Sequence, residues 1–550
     1  MTDVTDLLLK APFNLDDAGI AWVRATKAGL SAEERLGQLF VFISMGRDDG
    51  ELARLARLKP AGITRMFSPD REFECDFMDR AREQASVPLL VSADLEGSRM
   101  SLAFGTEVPT PLTLAAVDDL QASRTVARIM AEEARAIGVN WTFTPVLDIN
   151  AAFRSPIVAT RGFGSDLARI ERQALAQMAE FQAAGVAATV KHWPGEGYDD
   201  RDQHLVTTIN PLAMNEWEAT FGRLYRAAIE AGVMSVMSAH IALPAFVAEE
   251  GVEKYRPASV SKALNLGLLR GELGFNGVIV SDATPMAGLG AWGPRRVTLP
   301  EVIENGCDVI LFVEDPEEDM GFVRDAIADG RVSAARVDEA LTRVLGLKAA
   351  LGLQNGFVPA AGAVLGTAAN KAAARAVTAR APTLVKDVNG LLPLSLARHR
   401  RVLVVSGGIV SPIHPAPAPF DLPDMLRAEG FEVTVFTPGL EVSPEKFDLM
   451  IYLFGEETLL TRGRIFLDWA KISGNFIAAM RRHWHEIPTL MISFGYPYYL
   501  YDAPRMPAYV NAYSTMPSMQ AAVVECLMGR AEWLGQSPVD AFCGLPDARY

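Results

Sequence analysis

Cysteine is scarce. Cys75, Cys307, Cys526 and Cys543 are the only four in 550 residues, far apart and without a CxxC pair. That usage points neither to a disulfide framework nor to a zinc site, and Cys307, inside NGCDVILFV, reads as a plain core thiol. No run approaches about 18 consecutive apolar residues, so no membrane span is expected. The first residues, MTDVTDLLLKAPFNLDD, lack a basic start, an apolar centre and a small-residue cleavage site, so no signal peptide is expected. A reducing cytoplasm is the simplest compartment. Positive charge is also in deficit: 52 Lys and Arg stand against 67 Asp and Glu, a net charge of −15. Such a surface argues against nucleic acid or an anionic membrane as the main partner and says little about a neutral sugar. HExxH spacing is absent, and the C-terminal third has no GxGxxG, so no metal, cofactor or nucleotide is assigned.

What the chain does have is ordinary globular composition, with 49% hydrophobic and 22% charged residues. Its length fits two or three domains. Up to about residue 350 one theme repeats: a short apolar run, a polar turn, an amphipathic stretch. The runs fall at 39–45, 61–67, 88–94, 140–149, 187–193, 235–241, 277–283 and 308–313. Continuous apolar runs suit strands buried on both faces. Helical spacing marks 167–185, stopped by Gly185, and 215–232. Eight strands alternating with helices predict a (β/α)8 TIM barrel, with an open doubly wound sheet as the alternative. Polar residues favour the barrel, because Asp94, Asp148, Lys191, His192, His240 and Asp282 all close apolar runs, where barrel enzymes keep their chemistry. The small-residue stretch 353–380 reads as a linker running into a helix. Further apolar runs at 401–407, 431–438, 447–455, 489–495 and 507–514 predict a smaller α/β sandwich domain with a mostly parallel sheet. The expected division is 1–352, 353–380 and 381–550.

The most informative stretch is KHWPGEGYDDRDQH, residues 191–204. It leaves a buried strand through Lys191 and His192, and Pro194, Gly195 and Gly197 then force a tight loop. Lys191 and His192 are either paired donors to sugar hydroxyls or residues on opposite strand faces, each met by a local carboxylate. Asp202 and His204 share one side of an extended segment, which gives either a carboxylate-oriented imidazole or an ordinary solvated loop. Asp282, after four buried residues, is either a helix N-cap or a group at a functional mouth. TRGRIFLDW (461–469), with Arg462 and Arg464, is a candidate loop over the site, although a salt-bridged surface turn is the plainer expectation.

KHWPGEG…DQH resembles the KHFPGHG…DSH signature of glycoside hydrolase family 3, in the branch of bacterial β-N-acetylglucosaminidases. DLEGSRM (94–100), FTPVLDIN (143–150), RGFGSD (161–166), MSAHIALP (237–244), GVIVSDATPM (277–286) and APTLVKDVNGLLPL (381–394) resemble further blocks of that family in the expected order. The resemblance implies a retaining, exo-acting β-N-acetylglucosaminidase acting on a carbohydrate such as a peptidoglycan or chitin fragment. Asp282 matches the nucleophile, His204 the general acid/base, and Asp202 its orienting partner. Asp94, Arg161, Lys191 and His192 match residues that bind sugar hydroxyls, and His240 would support the strand-six side. A β-N-acetylglucosaminide phosphorylase, a β-glucosidase and a sugar-binding barrel without turnover are the alternatives. Ser98, Glu196, Gln203 and Trp193 depart from the family pattern. The acidic Glu196, Asp199 and Asp200 put the leaving-group preference in doubt.

Overall fold

A computed structural model describes residues 4–46, 48–356, 365–414 and 416–550. Eight parallel strands close into a barrel: β1 (Phe40–Ser44), β2 (Gly62–Arg65), β3 (Leu90–Ala93), β4 (Trp141–Thr142), β5 (Ala187–Trp193), β6 (Ser235–Ser238), β7 (Val278–Ala283) and β8 (Val309–Leu311). Because β1 pairs with both β2 and β8, the ring has no free edge and the open sheet is excluded. Side chains alternate across the barrel wall. Val41, Leu90, Trp141, Ala187, Val278, Val280, Val309 and Leu311 share an inner cluster joined by Leu7, Leu8 and Phe13. The opposite parity, including Phe40, Phe42, Ile63, Val91 and Ile279, packs outward against the helices.

Two expected elements differ in detail. The run 140–149 yields only the two-residue β4, because Pro145 has no N–H for the ladder. Beyond it Leu147 N–H donates to Lys191 O at 2.8 Å, so the chain stays beside β5 without being a regular strand. The helical run 215–232 is one course of Met214–Trp217, a wider turn at Glu218–Gly222, and Arg223–Glu230. The Thr220 hydroxyl donates to Glu216 O at that widening. Helix Leu167–Ala183 forms as expected, capped by the Asp166 carboxylate on Arg169 N–H at 2.7 Å.

The C-terminal sheet has six strands: β9 (Thr383–Asp387), β10 (Arg401–Val410), β11 (Glu432–Val435), β12 (Leu449–Glu456), β13 (Thr489–Ser493) and β14 (Ala508–Asn511). Their order is β9-β14-β13-β12-β10-β11, antiparallel only between β9 and β14. One face buries Leu403, Met450, Met491 and Tyr509 in a cluster that also takes Leu112, Ala116 and Ala159 from the barrel side. The other buries Val404, Ile451, Leu453 and Ile492 under helices Leu422–Ala428 and Pro517–Leu527. Within the expected linker, residues 357–364 lie outside the described residues. Helix Ala368–Thr378 follows, and its Ala374 and Val377 pack into the barrel's outer cluster.

The turn after β5 sets the course of the loop that runs to His204. Gly195 and Gly197 hold φ of +120° and +112°, a region costly for residues with a Cβ. A Cβ at Gly197 would lie 1.9 Å from Ile149 O, whereas one at Gly232 (φ +82°) would meet nothing within 4 Å. Gly197→Ala is therefore expected to destabilise by about 1–3 kcal/mol or more, and Gly232→Ala by the backbone cost alone. Thermal midpoints from circular dichroism check this, and equal losses in the two variants would refute the steric part.

Candidate active site

Parity places two carboxylates over the barrel interior. Asp94 follows the inward Leu90 and Ser92 of β3, and Asp282 follows the inward Val278 and Val280 of β7. Lys191 is inward in the series Ala187, Thr189, Lys191. His192 would face out by simple alternation, but the β5–β6 ladder shifts register between Val190 and Trp193. The successive Lys191 and His192 side chains therefore join one cluster, and the opposite-faces alternative does not hold.

That cluster is a chain of buried charges. Lys191 Nζ lies 2.8 Å from Asp94 Oδ1 and 2.7 Å from Glu96 Oε1. Arg161 grips Glu96 with Nε at 2.7 Å and a second nitrogen at 2.9 Å, a two-point contact, and the latter nitrogen is 3.3 Å from His192 Nε2. On the other ring edge, His192 Nδ1 meets Asp148 Oδ2 at 2.5 Å, while Asp148 Oδ1 accepts from the backbone N–H of His192 and of Glu196. Arg161 as donor to Nε2 and Asp148 as acceptor from Nδ1 select the tautomer with its proton on Nδ1. Burial works against charge on Glu96, but Arg161 and Lys191 outweigh it and hold the carboxyl far below the ordinary range. Burial likewise opposes the Lys191 cation, and Asp94 and Glu96 reverse this and push its pKa up.

Asp282 is 9% exposed, and its Oδ1 accepts the Ala283 N–H at 2.7 Å. Burial alone would raise its pKa. The imidazoles of His192, His240 and His204, with that N–H, hold it below the usual carboxylate value. His240 is fully buried. Its Nε2 donates to Ala283 O at 3.0 Å and its Nδ1 accepts from Ser259 Oγ at 2.8 Å, so the ring braces the backbone beside Asp282. Burial lowers its pKa.

Asp202 and His204 do form a pair, with Nδ1 and Oδ1 2.7 Å apart and the His204 N–H also on Oδ1 at 2.8 Å. The second oxygen, Oδ2, takes the backbone N–H of Thr461 at 2.7 Å. Burial raises the Asp202 pKa, but these partners overcome it and the net shift is downward. The 461–469 segment is thus a docked loop and not a salt-bridged turn. Among the described residues neither Arg462 nor Arg464 has an ion-pair partner, and Arg464 stacks 4.3 Å over the Phe466 ring.

Other residues of the site carried weaker signals. Glu96 is the shared counter-ion of Lys191 and Arg161, and two buried cations beside Asp94 alone would have left charge unbalanced. Ser98, in place of a glycine, holds φ +49°. Its hydroxyl donates to Glu457 Oε1 at 2.7 Å, and that oxygen also accepts the Thr515 N–H and hydroxyl. Glu196 is buried. Its Oε2 accepts from Gln203 Nε2 at 3.0 Å, while Oε1 has no hydrogen-bond partner. Burial, then the negative field of Asp148, pushes its pKa well above the ordinary value. Asp148, His192 and Glu196 offer ligand atoms within 4.8 Å of one another, so they are the group among the described residues that could hold a metal ion. Asp148 binds the His192 ring and the backbone N–H of His192 and of Glu196, while the Glu196 side chain bonds Gln203.

A closed (β/α)8 barrel whose mouth gathers carboxylates, imidazoles and bidentate cations is the plan of a glycoside hydrolase. The chain belongs to glycosyl hydrolase family 3, whose N-terminal domain model matches residues 56–347. It is similar to a β-N-acetylglucosaminidase/β-glucosidase from Cellulomonas fimi, 41% identical over 98% of this chain and 99% of that protein. A β-hexosaminidase from Stenotrophomonas maltophilia is 34% identical over 44% of this chain and 72% of its own. Among solved structures, the β-glucoside phosphorylase BglX superposes with a TM-score of 0.90 at 35% identity, covering 99% of this chain and 100% of that one. A family 3 β-N-acetylglucosaminidase from Paenibacillus shares the fold with a TM-score of 0.80 at 24% identity, covering 94% of this chain and all of its own.

Glu196 gives a stability prediction with a definite sign. Its folded pKa lies above the unfolded one, so its contribution is fully present below the unfolded value and is lost as pH rises toward the folded value. Glu196→Gln keeps the shape and cannot ionise. It is expected to raise the thermal midpoint relative to the parent at pH 8 and to narrow that difference at pH 5. Thermal scans at the two pH values check this, and a larger advantage at pH 5 would contradict it.

Proposed function

We propose that this chain is a retaining, exo-acting β-glycosidase that releases terminal β-linked N-acetylglucosamine, with Asp282 as nucleophile and His204 as acid/base oriented by Asp202. The single observation carrying the reading is the dyad itself: Asp202 spends one oxygen on His204 Nδ1 and the other on Thr461 N–H, while His204 stands in the electrostatic field of Asp282. With Asp282 Oδ1 engaged by Ala283, Oδ2 is free to attack the anomeric carbon. The C1–O bond breaks, its electron pair goes to the departing oxygen, and that oxygen takes the proton from His204 Nε2. In the second half, Nε2 accepts a proton from water as the water oxygen displaces Asp282, which restores both groups with retained configuration. Asp94, Arg161, Lys191 and His192 would hold the hydroxyls of the sugar, and His240 would keep Asp282 in place. The sugar assignment is supported by the printed activities of the relatives. A cytoplasmic location belongs to the same proposal, supported by four unpaired cysteines; no helix among the described residues is long and apolar enough to cross a membrane. So does the division into barrel (1–352), connector (353–380) and α/β sandwich (381–550), supported by the separate cores of the two sheets.

A second reading, phosphorolysis, is favoured by one feature. An imidazole that has given up its proton is uncharged, so it repels an anionic acceptor less than a carboxylate would. The likeness to a β-glucoside phosphorylase along the full chain supports this reading.

Two outcomes are expected. A 2-fluoro glycosyl donor should label Asp282, as located by peptide mass mapping, and Asp282→Asn should abolish labelling and lower kcat by at least about a thousandfold. His204→Ala should lose about 10²–10⁴-fold on a poor leaving group and regain part of it with azide. Sustained absence of label would favour a binding protein. A panel of aryl β-N-acetylglucosaminides and β-glucosides, with and without inorganic phosphate, tests sugar and acceptor. Turnover raised by phosphate with release of a sugar 1-phosphate would replace hydrolysis by phosphorolysis, and a glucoside strongly preferred would replace the sugar.

A further inference from the structure

Two of the positions that depart from the family signature, Glu196 and Gln203, meet in the structure. Gln203 Nε2 donates to Glu196 Oε2 at 3.0 Å. The other end of the same amide accepts, with Gln203 Oε1 taking the His240 N–H at 3.1 Å. A backbone N–H can only donate, so the amide has one orientation, its oxygen toward His240 and its nitrogen toward the carboxyl. Gln203 and His240 are fully buried and Glu196 is nearly so. Water therefore offers no substitute for either bond, and losing one costs more than it would at a surface.

Each end of the amide is tied to a different part of the site. Glu196 belongs to the sugar side. Its N–H donates to Asp148 Oδ1 and its carbonyl accepts the Ile149 N–H, and Asp148 also holds the His192 ring. His240 belongs to the nucleophile side. Its Nε2 donates to Ala283 O, and the Ala283 N–H holds Asp282 Oδ1. Gln203 itself stands in the chain between Asp202 and His204, the two members of the dyad. A Cβ on Gly288 would lie 2.4 Å from Gln203 O and 2.9 Å from His240 Cβ, so the loop after β7 closes on the same two residues with no room to spare.

Retaining chemistry needs its nucleophile and its acid/base held at a fixed separation across the sugar ring. Asp282 is carried by β7, whereas His204 is carried by a loop. We propose that Gln203 is a positioning residue: its amide, wedged between the Glu196 carboxyl and the His240 backbone, sets the distance from His204 to Asp282. The spacer works by its length and by offering one donor and one acceptor. A serine hydroxyl would stop short of both partners, and a glutamate of the same length would bring no N–H to Glu196. Asp202 and Thr461 orient the imidazole ring, whereas Gln203 fixes the backbone that carries it. A misplacement of about 1 Å in such a support is enough to cost about a hundredfold in rate. The proposal rests on the reading of Asp282 and His204 given above.

Leaving-group acidity reads the effect. A 4-methoxyphenolate needs the His204 proton as its bond breaks, and a 2,4-dinitrophenolate departs without it. The quantity measured is the ratio of kcat/KM for the 2,4-dinitrophenyl β-glycoside to that for the 4-methoxyphenyl one, on the sugar that the parent turns over faster. Gln203→Met keeps the length and removes both bonds, and it is expected to widen that ratio by about 10- to 100-fold. Gln203→Ser should widen it too. Glu196→Ala should move it in the same direction, and Gln203→Met/Glu196→Ala should widen it no further than Gln203→Met alone, because both breaks lie in one chain of bonds. Equal losses on the two substrates would make Gln203 a merely structural residue and overturn the proposal. An unchanged ratio, or widenings that multiply in the double variant, would overturn it as well. A parent that the 2-fluoro donor fails to label at Asp282 instead overturns the reading beneath it.

Discussion

A buried carboxylate must have its lone pairs met by donors, and Asp202 shows what that demand builds. Its side chain is fully buried, so water cannot satisfy it. One oxygen is met from two residues along the chain, by His204, and the other from Thr461 in the C-terminal half. Left with a single partner, the anion would cost more to bury than the pair returns. The imidazole is therefore oriented only when the C-terminal loop is docked. The loop in turn is placed by Thr458 and Leu459, whose hydroxyl and N–H rest on Pro156 O of the barrel. Dyad geometry and the seating of the two halves are one constraint.

The same demand explains the rest of the polar wall. Glu96 sits between Lys191 and Arg161, and Asp148 holds His192 by ring and backbone together. Both oxygens of Glu96 and of Asp148 meet donors, so these side chains are fixed before a ligand arrives. Glu196 is the exception, with one oxygen bonded to Gln203 and the other unmet. Burial and the negative fields of Asp148, Asp282 and Asp202 push its pKa well above the ordinary carboxylate value.

The barrel was legible because its strands are buried on both faces and read as unbroken apolar runs, with polar residues stopping them at the functional end. Where that signal failed, the cause is local. Pro145 cuts β4 short of its apolar run. β9, TLVKD, is an antiparallel edge strand with two charged residues, and no apolar periodicity announces it; its Lys386 is instead anchored on the carbonyls of Pro504, Ala548 and Tyr550. The eight candidate residues do converge, because residue type and strand end locate a side chain well. Two things stayed hidden. The Lys191–His192 pairing depends on a register shift that alternation cannot foresee, and Thr461 contributes a backbone N–H, which carries no residue-type signature.

Ser98 has a consequence for how such a chain could change over time. A glycine there would accept the left-handed backbone freely, whereas serine holds it at φ +49° and gains a hydroxyl seated on Glu457 and near Ser514. The barrel and the sheet are thereby keyed to each other through matched residues on both sides. An exchange of the C-terminal half with that of a relative would have to carry the partners of Ser98 along with it, so the two halves are bound to diverge as a unit and not as interchangeable modules.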